Sequence, residues 1–265
     1  MPEGDTVFRA ARLLDRALTG HVLTRTDFRV PQHATADLSG GTVVGTVSRG
    51  KHLLTRVDAG EERWTLHTHL KMEGAWRVLG RDQRWPRPAH QARVVLTTAD
   101  KAAVGFSLGI VELVDRADEQ SVVGHLGPDL LGPDWDADEA VRRLSAEPGR
   151  PLREALLDQR NLAGLGNMYA AELCFIAGIH PETPVERVPD LRRLVVRAQQ
   201  VLALNKERAF QSTTGNLRER ERLWVYRRDR SPCRRCGTPV VVEMQGPAGR
   251  DRASYWCPSC QPATP

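Results

Sequence analysis

Lysine is scarce in this chain of 265 residues: Lys51, Lys71, Lys101 and Lys206 stand against 34 arginines. An amine can lose its proton and a guanidinium cannot, so each lysine is a candidate for chemistry that arginine cannot perform. Cysteine is nearly as sparse, five in all, and four of the five lie beyond position 232. No run of the roughly eighteen apolar residues needed to cross a membrane is present, which excludes a spanning helix. The chain opens MPEGDTVFRA, acidic from its third residue and without an apolar stretch. That argues against a secretory leader and makes the cytoplasm the expected compartment. Repeats and low-complexity segments are absent.

What is there fits a globular protein long enough for two domains, each with its own core. The formal charge of +5 is modest, but it is unevenly spread. Between Leu191 and Arg235 thirteen Lys/Arg face four Asp/Glu, so this block is strongly cationic and the remainder slightly anionic. Such a block suits a polyanionic partner, or simply a solvated helix face.

Periodicity divides the chain. Val7, Ala10, Ala11, Leu14 and Leu18 recur at helical spacing, with Gly20 as a stop. From His21 to about Asp115 come short strand-like runs: VLTRTDFRV, GTVVGTV, HLLTRV, RWTLHTHL, AWRVL, ARVVLTT and GIVELV. Frequent Gly, Pro and Asp between them predict an antiparallel sandwich or barrel. The loop RDQRWPRPAHQ should jut from that sheet. After Leu126 the turn-rich GPD, LLGPDWD and EPGRP read as a junction. Helical segments DADEAVRRL, PLREALLDQ, MYAAELCFIAGI and PDLRRLVVRAQQVLALNKERAF follow.

Cys233-Arg-Arg-Cys236 and Cys257-Pro-Ser-Cys260 form two C-x2-C knuckles on either side of a spacer able to hold a β-hairpin. Paired knuckles of this kind place four thiolates on one tetrahedral zinc ion. Two disulfides are the alternative, disfavoured in a reducing compartment. Four sulfur ligands leave no open position, so one structural zinc is expected. Cys174, inside an apolar helical run, reads as an inert core residue.

Three further pieces combine with the knuckles: the opening Met1-Pro2-Glu3-Gly4-Asp5-Thr6, the strand-pair segment Ser48-Arg49-Gly50-Lys51-His52, and LLDQRNLAGLGNMYAAE from Leu156. In this order they resemble the formamidopyrimidine-DNA glycosylase / endonuclease VIII family over the whole length. The Glu-Gly-Asp-Thr opening is similar to the endonuclease VIII-like branch, closest to its actinobacterial members. The resemblance implies an α+β fold of two domains: an N-terminal helix with an antiparallel β-sandwich, then a helical domain with a helix–two-turn–helix motif and a zinc ribbon. Expected boundaries are 1–125, 126–228 and 229–265.

It also implies a bifunctional DNA glycosylase and abasic-site lyase of base excision repair, preferring oxidised pyrimidines and ending in β,δ-elimination. With Met1 removed, Pro2 would offer a secondary amine as nucleophile and Glu3 a general acid. Lys51 matches the family's strand lysine at the lesion phosphate and sugar. Asn167 matches the residue at the start of the second helix of the two-turn motif, whose amide grips phosphate with the helix N-terminus. Arg252 matches the hairpin arginine that binds phosphates around the lesion and aids the final elimination. His69 to Gly74 aligns with the void-filling loop, with Met72 as the wedge into the base stack and Lys71 beside it; a core methionine is the bland reading. Here Lys71-Met72-Glu73 replaces the Gln-Leu-Tyr of better-known endonuclease VIII sequences, which leaves opposite-base preference open. His125 falls where the family can carry a DNA-contacting arginine. His52, His67 and His69 alternate with apolar residues and read as core or phosphate contacts rather than a second metal site. The expected partner is damaged double-stranded DNA, with single-stranded DNA as a second form, bound by a monomer without membrane contact. Two other readings stand beside this one: an 8-oxoguanine/formamidopyrimidine glycosylase, and a non-catalytic damaged-DNA-binding protein on the same scaffold.

Overall fold

The computed structural model describes residues 2–246 and 251–263. Met1, whose removal the sequence leads one to expect, lies outside the described residues. Two compact units follow one another along the chain, Met1–His125 and Leu126–Pro265.

The first unit opens with helix α1, Gly4–Leu18. Its apolar stripe Val7, Ala11, Leu14 and Leu18 is buried, as the spacing predicts. Two four-stranded antiparallel sheets follow. One has the order β2-β3-β4-β8, made of Thr42–Arg49, His52–Ala59, Glu62–His69 and Ile110–Asp115. The other runs β1-β6-β7-β5, made of Arg25–Phe28, Ala92–Thr97, Lys101–Phe106 and Ala75–Gly80. Leu53, Val57, Leu66 and Val111 from the first sheet meet Trp76, Val94, Leu96 and Ala103 from the second, with the stripe of α1 completing one core. Burying each such Leu or Val is worth roughly 1.5–3 kcal/mol. A short helix α2, Glu119–Val123, ends the unit.

Three local expectations change. Strand β7, KAAVGF, is absent from the sequence-derived strands, because its alanines and glycine carry little strand propensity; it forms because β5 and β6 pair with both its edges. The loop after β5 is exposed over most of its length, but its tryptophan turns inward. Trp85 folds back edge-on to Phe106 at 5.9 Å, and Arg29 stacks over Trp85 at 5.0 Å. A register shift between Ala92 and Val94 turns Ala92 to this outer cluster, beside Val95 and Val104. The long terminal helix stops at Asn205 rather than near Phe210. There the Asn205 amide accepts from the Ser212 N–H and donates to the Ser212 carbonyl, folding the chain back.

The second unit packs α3 Ala137–Leu144, α4 Leu152–Leu157, α5 Asn167–Ala177 and α6 Leu191–Asn205. Helix α5 is buried from Asn167 to Phe175 and forms its axis. Gly178 closes α5 in the left-handed region, and the Ile179 N–H reaches the Cys174 carbonyl. A hairpin of β9 Val241–Gln245 and β10 Arg252–Trp256 follows. Cys233, Val240 and Cys257 join the same core as the helices. Cys174 is fully buried and its thiol is pushed up to about 12 by burial, as an inert core residue should be.

Candidate nucleic-acid and catalytic site

Pro2 is half-buried just ahead of α1, and Glu3 follows as the residue that starts the helix, fully buried. The Glu3 carbonyl accepts from the Val7 N–H at 3.0 Å, so packing of the first turn fixes the backbone behind Pro2. The Pro2-Glu3 pair is therefore held by the first turn of a packed helix rather than by a frayed end.

Lys51 sits in the tight turn between β2 and β3, where Arg49 pairs with His52. Gly50 takes φ +57° there, a conformation that suits glycine. Lys71, Met72 and Glu73 form an exposed turn after β4. Its geometry requires Gly74, since a Cβ there would overlap the Leu70 backbone. Met72 is 59% exposed, so the core reading of this methionine fails. Lys71 adopts φ +51°, and its side chain lies against the backbone of Gly109. His125 is exposed and its ring stands edge-on to His52 at 6.2 Å.

The two-turn motif is built from its own side chains. Asp158 accepts from the N–H and guanidinium of Arg160 and from Arg150; these partners, Arg160 first, hold its carboxyl well below the usual range. Gln159 donates to the carbonyls of Leu157 and Leu165 and accepts from the Gly164 N–H. Asn161 donates to the Ala155 carbonyl. The turns thus deliver Asn167 to the first position of α5.

The Asn167 side chain has partners within the protein. It is 5% exposed, its Oδ1 accepts from Arg153 at 2.7 Å, and its Nδ2 donates to the Ala253 carbonyl at 2.8 Å. Both amide atoms bridge α4 to the hairpin, because Arg153 is itself buried and needs acceptors. Arg153 is 1% exposed and meets the carbonyls of Gln245, Arg252 and Ala253. Burial lowers its affinity for a proton. Arg252 itself is exposed at the start of β10, with its backbone fixed by that bridge. Sequence reasoning missed Arg153: between Leu152 and Glu154 it looks like any helical surface arginine.

Glu172 was missed as well. Fully buried in α5, it accepts from the N–H groups of Trp224, Val225 and Tyr226 and from the Thr213 hydroxyl. Burial nonetheless pushes its carboxyl up. It anchors the 213–226 segment of the basic block. Several arginines of that block are engaged internally: Arg192 with Asp138, Arg228 with the Trp224 and Pro232 carbonyls, Arg234 with the Leu223 carbonyl. Arg235 stacks over Phe175 at 4.6 Å. The block is therefore partly a structural device.

At the hairpin, the Sγ atoms of Cys233, Cys236, Cys257 and Cys260 all lie within 4.8 Å of one another. Cys233 and Cys260 are 3.9 Å apart, Cys236 and Cys257 3.4 Å. These separations are too long for disulfides, whose sulfurs bond at about 2.05 Å. They fit four thiolates around one ion with metal–sulfur bonds of about 2.3 Å. The cysteine set could hold a metal, and it is the only such cluster among the described residues.

Residues 1–107 match the formamidopyrimidine-DNA glycosylase N-terminal domain, and residues 126–224 the formamidopyrimidine-DNA glycosylase H2TH domain. The chain belongs to the formamidopyrimidine-DNA glycosylase / endonuclease VIII family. Within it, the chain is 55% identical to a probable endonuclease 8 2 of Streptomyces coelicolor, over 98% of this chain and 94% of that one. It is 50% identical, over the full length of both, to the DNA-(apurinic or apyrimidinic site) lyase Nei2 of Mycolicibacterium smegmatis. Endonuclease 8 of Escherichia coli is 33% identical over 98% of this chain and all of its own. The likeness to the endonuclease VIII-like branch, read from the opening residues, is borne out. Among solved structures, the Lactococcus lactis formamidopyrimidine-DNA glycosylase bound to abasic-site DNA shares the fold, with a TM-score of 0.80 at 23% identity over 99% of this chain and all of that one.

Proposed function

We propose that this protein is a bifunctional DNA glycosylase and abasic-site lyase of base excision repair, acting as a cytoplasmic monomer on damaged duplex DNA, with oxidised pyrimidines preferred and single-stranded DNA as a second substrate form. The observation that carries the reading is the pair Pro2-Glu3, half-buried and fully buried at the start of a packed helix. Once Met1 is removed, the Pro2 nitrogen bonds to C1′ of the lesion sugar and the glycosidic bond breaks with its electrons leaving on the base. Glu3 delivers a proton to the ring oxygen as the sugar opens. Loss of the remaining N–H proton gives an iminium, which acidifies C2′; removal of that proton expels the 3′ phosphate. A second elimination then expels the 5′ phosphate. Lys51, Lys71, His125 and Arg252 bind the DNA backbone, with Lys51 and Arg252 also assisting the eliminations. Asn167 acts by fixing the α5 terminus and the hairpin, where N–H groups meet phosphate. Met72 fills the gap left by the everted base. Cys233, Cys236, Cys257 and Cys260 hold one structural zinc, which ties the hairpin ends together.

Borohydride trapping tests the chemistry. The processed protein should become covalently bound to abasic-site DNA, while protein carrying an uncleaved N-terminal extension should bind without trapping or cleaving. Efficient trapping by the blocked protein would transfer the role to another amine, Lys51 first. Glu3→Gln should keep abasic-site binding and lose most base excision. Faster removal of 8-oxoguanine opposite cytosine than of oxidised pyrimidines would move the protein to the other branch of the family.

A further inference from the structure

The face of the β2-β3-β4-β8 sheet turned away from the sandwich core carries an uncommon row of side chains. His52 pairs across the ladder with His69, and His67 pairs with Glu112. His52 Nδ1 lies 2.7 Å from His67 Nε2, and His67 Nδ1 lies 2.8 Å from Glu112 Oε2. The His52 and His67 rings meet edge to edge through their hydrogen bond, 23° from coplanar with centroids 5.0 Å apart; His69 stands at a steep angle to His52 at 5.0 Å and His125 at 6.2 Å. The His69 Nδ1 accepts from the Lys71 N–H, and Lys51 directly precedes His52. Half of the chain's eight histidines and two of its four lysines thus converge, with Glu112 the carboxylate bonded into the row.

The donor and acceptor pattern fixes the tautomers. An ionised carboxylate can only accept, so His67 carries its proton on Nδ1 and its Nε2 accepts. His52 must then donate from Nδ1, which leaves its Nε2 with a lone pair. Among the described residues no hydrogen-bond partner meets that nitrogen. A phosphate oxygen is also an acceptor, so it can approach His52 Nε2 only if that nitrogen gains a proton.

We propose that Glu112, His67 and His52 form a proton-linked phosphate clamp: when the DNA backbone docks beside Lys51 and Lys71, His52 takes one proton from solvent at Nε2 and becomes an imidazolium. The new charge is balanced outward by phosphate and inward, through His67, by Glu112. This rests on the DNA-binding reading above and adds a positioning residue to it. The free protein is set for the switch, since burial, with His69, His67, His125 and Lys71 around it, holds His52 down to about 3. Phosphate reverses the local field, so the complex binds more protons than the free protein, and affinity rises as pH falls through the range of the bound state.

The probe is a duplex carrying a tetrahydrofuran abasic analogue, which cannot be cleaved. Binding is followed by calorimetry at fixed ionic strength in buffers of different ionisation heat, from pH 8 to 5.5. Wild-type protein should take up a fraction of a proton that grows toward one as pH falls, with affinity tightening by at most about tenfold per pH unit. His52→Gln and Glu112→Gln should each remove most of that uptake and flatten the pH dependence; Glu112 is half exposed, so its amide variant tests the relay without opening the core. Nitrogen NMR of the free protein should report the Nδ1–H tautomer for His52. Binding without proton uptake, undiminished uptake in both variants, or an Nε2–H tautomer would overturn the clamp and leave the enzyme assignment standing. No binding of the abasic duplex at all would overturn the enzyme assignment instead.

Discussion

Single residues here act mainly through what they hold. The histidines of the first unit give a stability prediction independent of DNA. Burial, followed by Lys71 and Lys51, pushes His69 down to about 4, and His52 is lower still. A histidine whose folded value lies below its unfolded value of about 6.5 favours unfolding wherever the unfolded chain binds the extra proton. Stability should be complete above about pH 6.5 and fall as pH drops toward 4, by up to roughly 1 kcal/mol per pH unit for each histidine. Melting temperatures of wild-type and His52→Gln protein across that range check this, and the variant should show the shallower slope. Arg153 makes a second case. Arg153→Met removes a buried charge but orphans Asn167 Oδ1 and carbonyls of the hairpin. Unsatisfied buried acceptors cost about 1–3 kcal/mol, so urea denaturation should show a loss of that order. Affinity for abasic-site DNA should fall with it, because Arg252 loses its fixed backbone.

Among the elements, the hairpin has the least packing of its own. It is a two-stranded ribbon, marginal by itself in water. Its supports are the cysteine cluster and a few contacts to the helices, including the Gln261 amide on the Ile179 carbonyl. Purified protein should contain one zinc per chain by elemental analysis. Cys257→Ser or chelation should disorder the hairpin, abolish tight DNA binding and leave the Met1–His125 unit folded, as backbone NMR can show. Loss of native signals in both units would assign the metal a wider role. Most helices and strands of both units were legible from periodicity, since alternating or 3.6-residue apolar patterns need a face to bury. Strand β7 and the end of α6 were not, because one depends on neighbours at both edges and the other on a single asparagine folding the chain back.

For the whole molecule, the charge asymmetry has a measurable consequence. Affinity for abasic-site duplex should fall at least about a hundredfold between 50 and 200 mM salt. The slope should nonetheless report fewer phosphates than the thirteen basic residues of the Leu191–Arg235 block would allow, because Arg192, Arg228 and Arg234 already have partners inside the protein. A slope accounting for all thirteen would mean that those internal bonds open on binding. The sequence by itself determined the order of the parts, the cysteine knuckles, the Pro2-Glu3 start and the family, since each is a local pattern whose chemistry needs only neighbours in the chain. Tertiary structure alone decided that the Asn167 amide bridges α4 to the hairpin, that Glu172 anchors a distant loop, and that His52, His67 and Glu112 share hydrogen bonds. Those pairings join residues up to 86 positions apart, and a buried polar group takes whichever partner the packed fold brings within reach, which no spacing along the chain specifies.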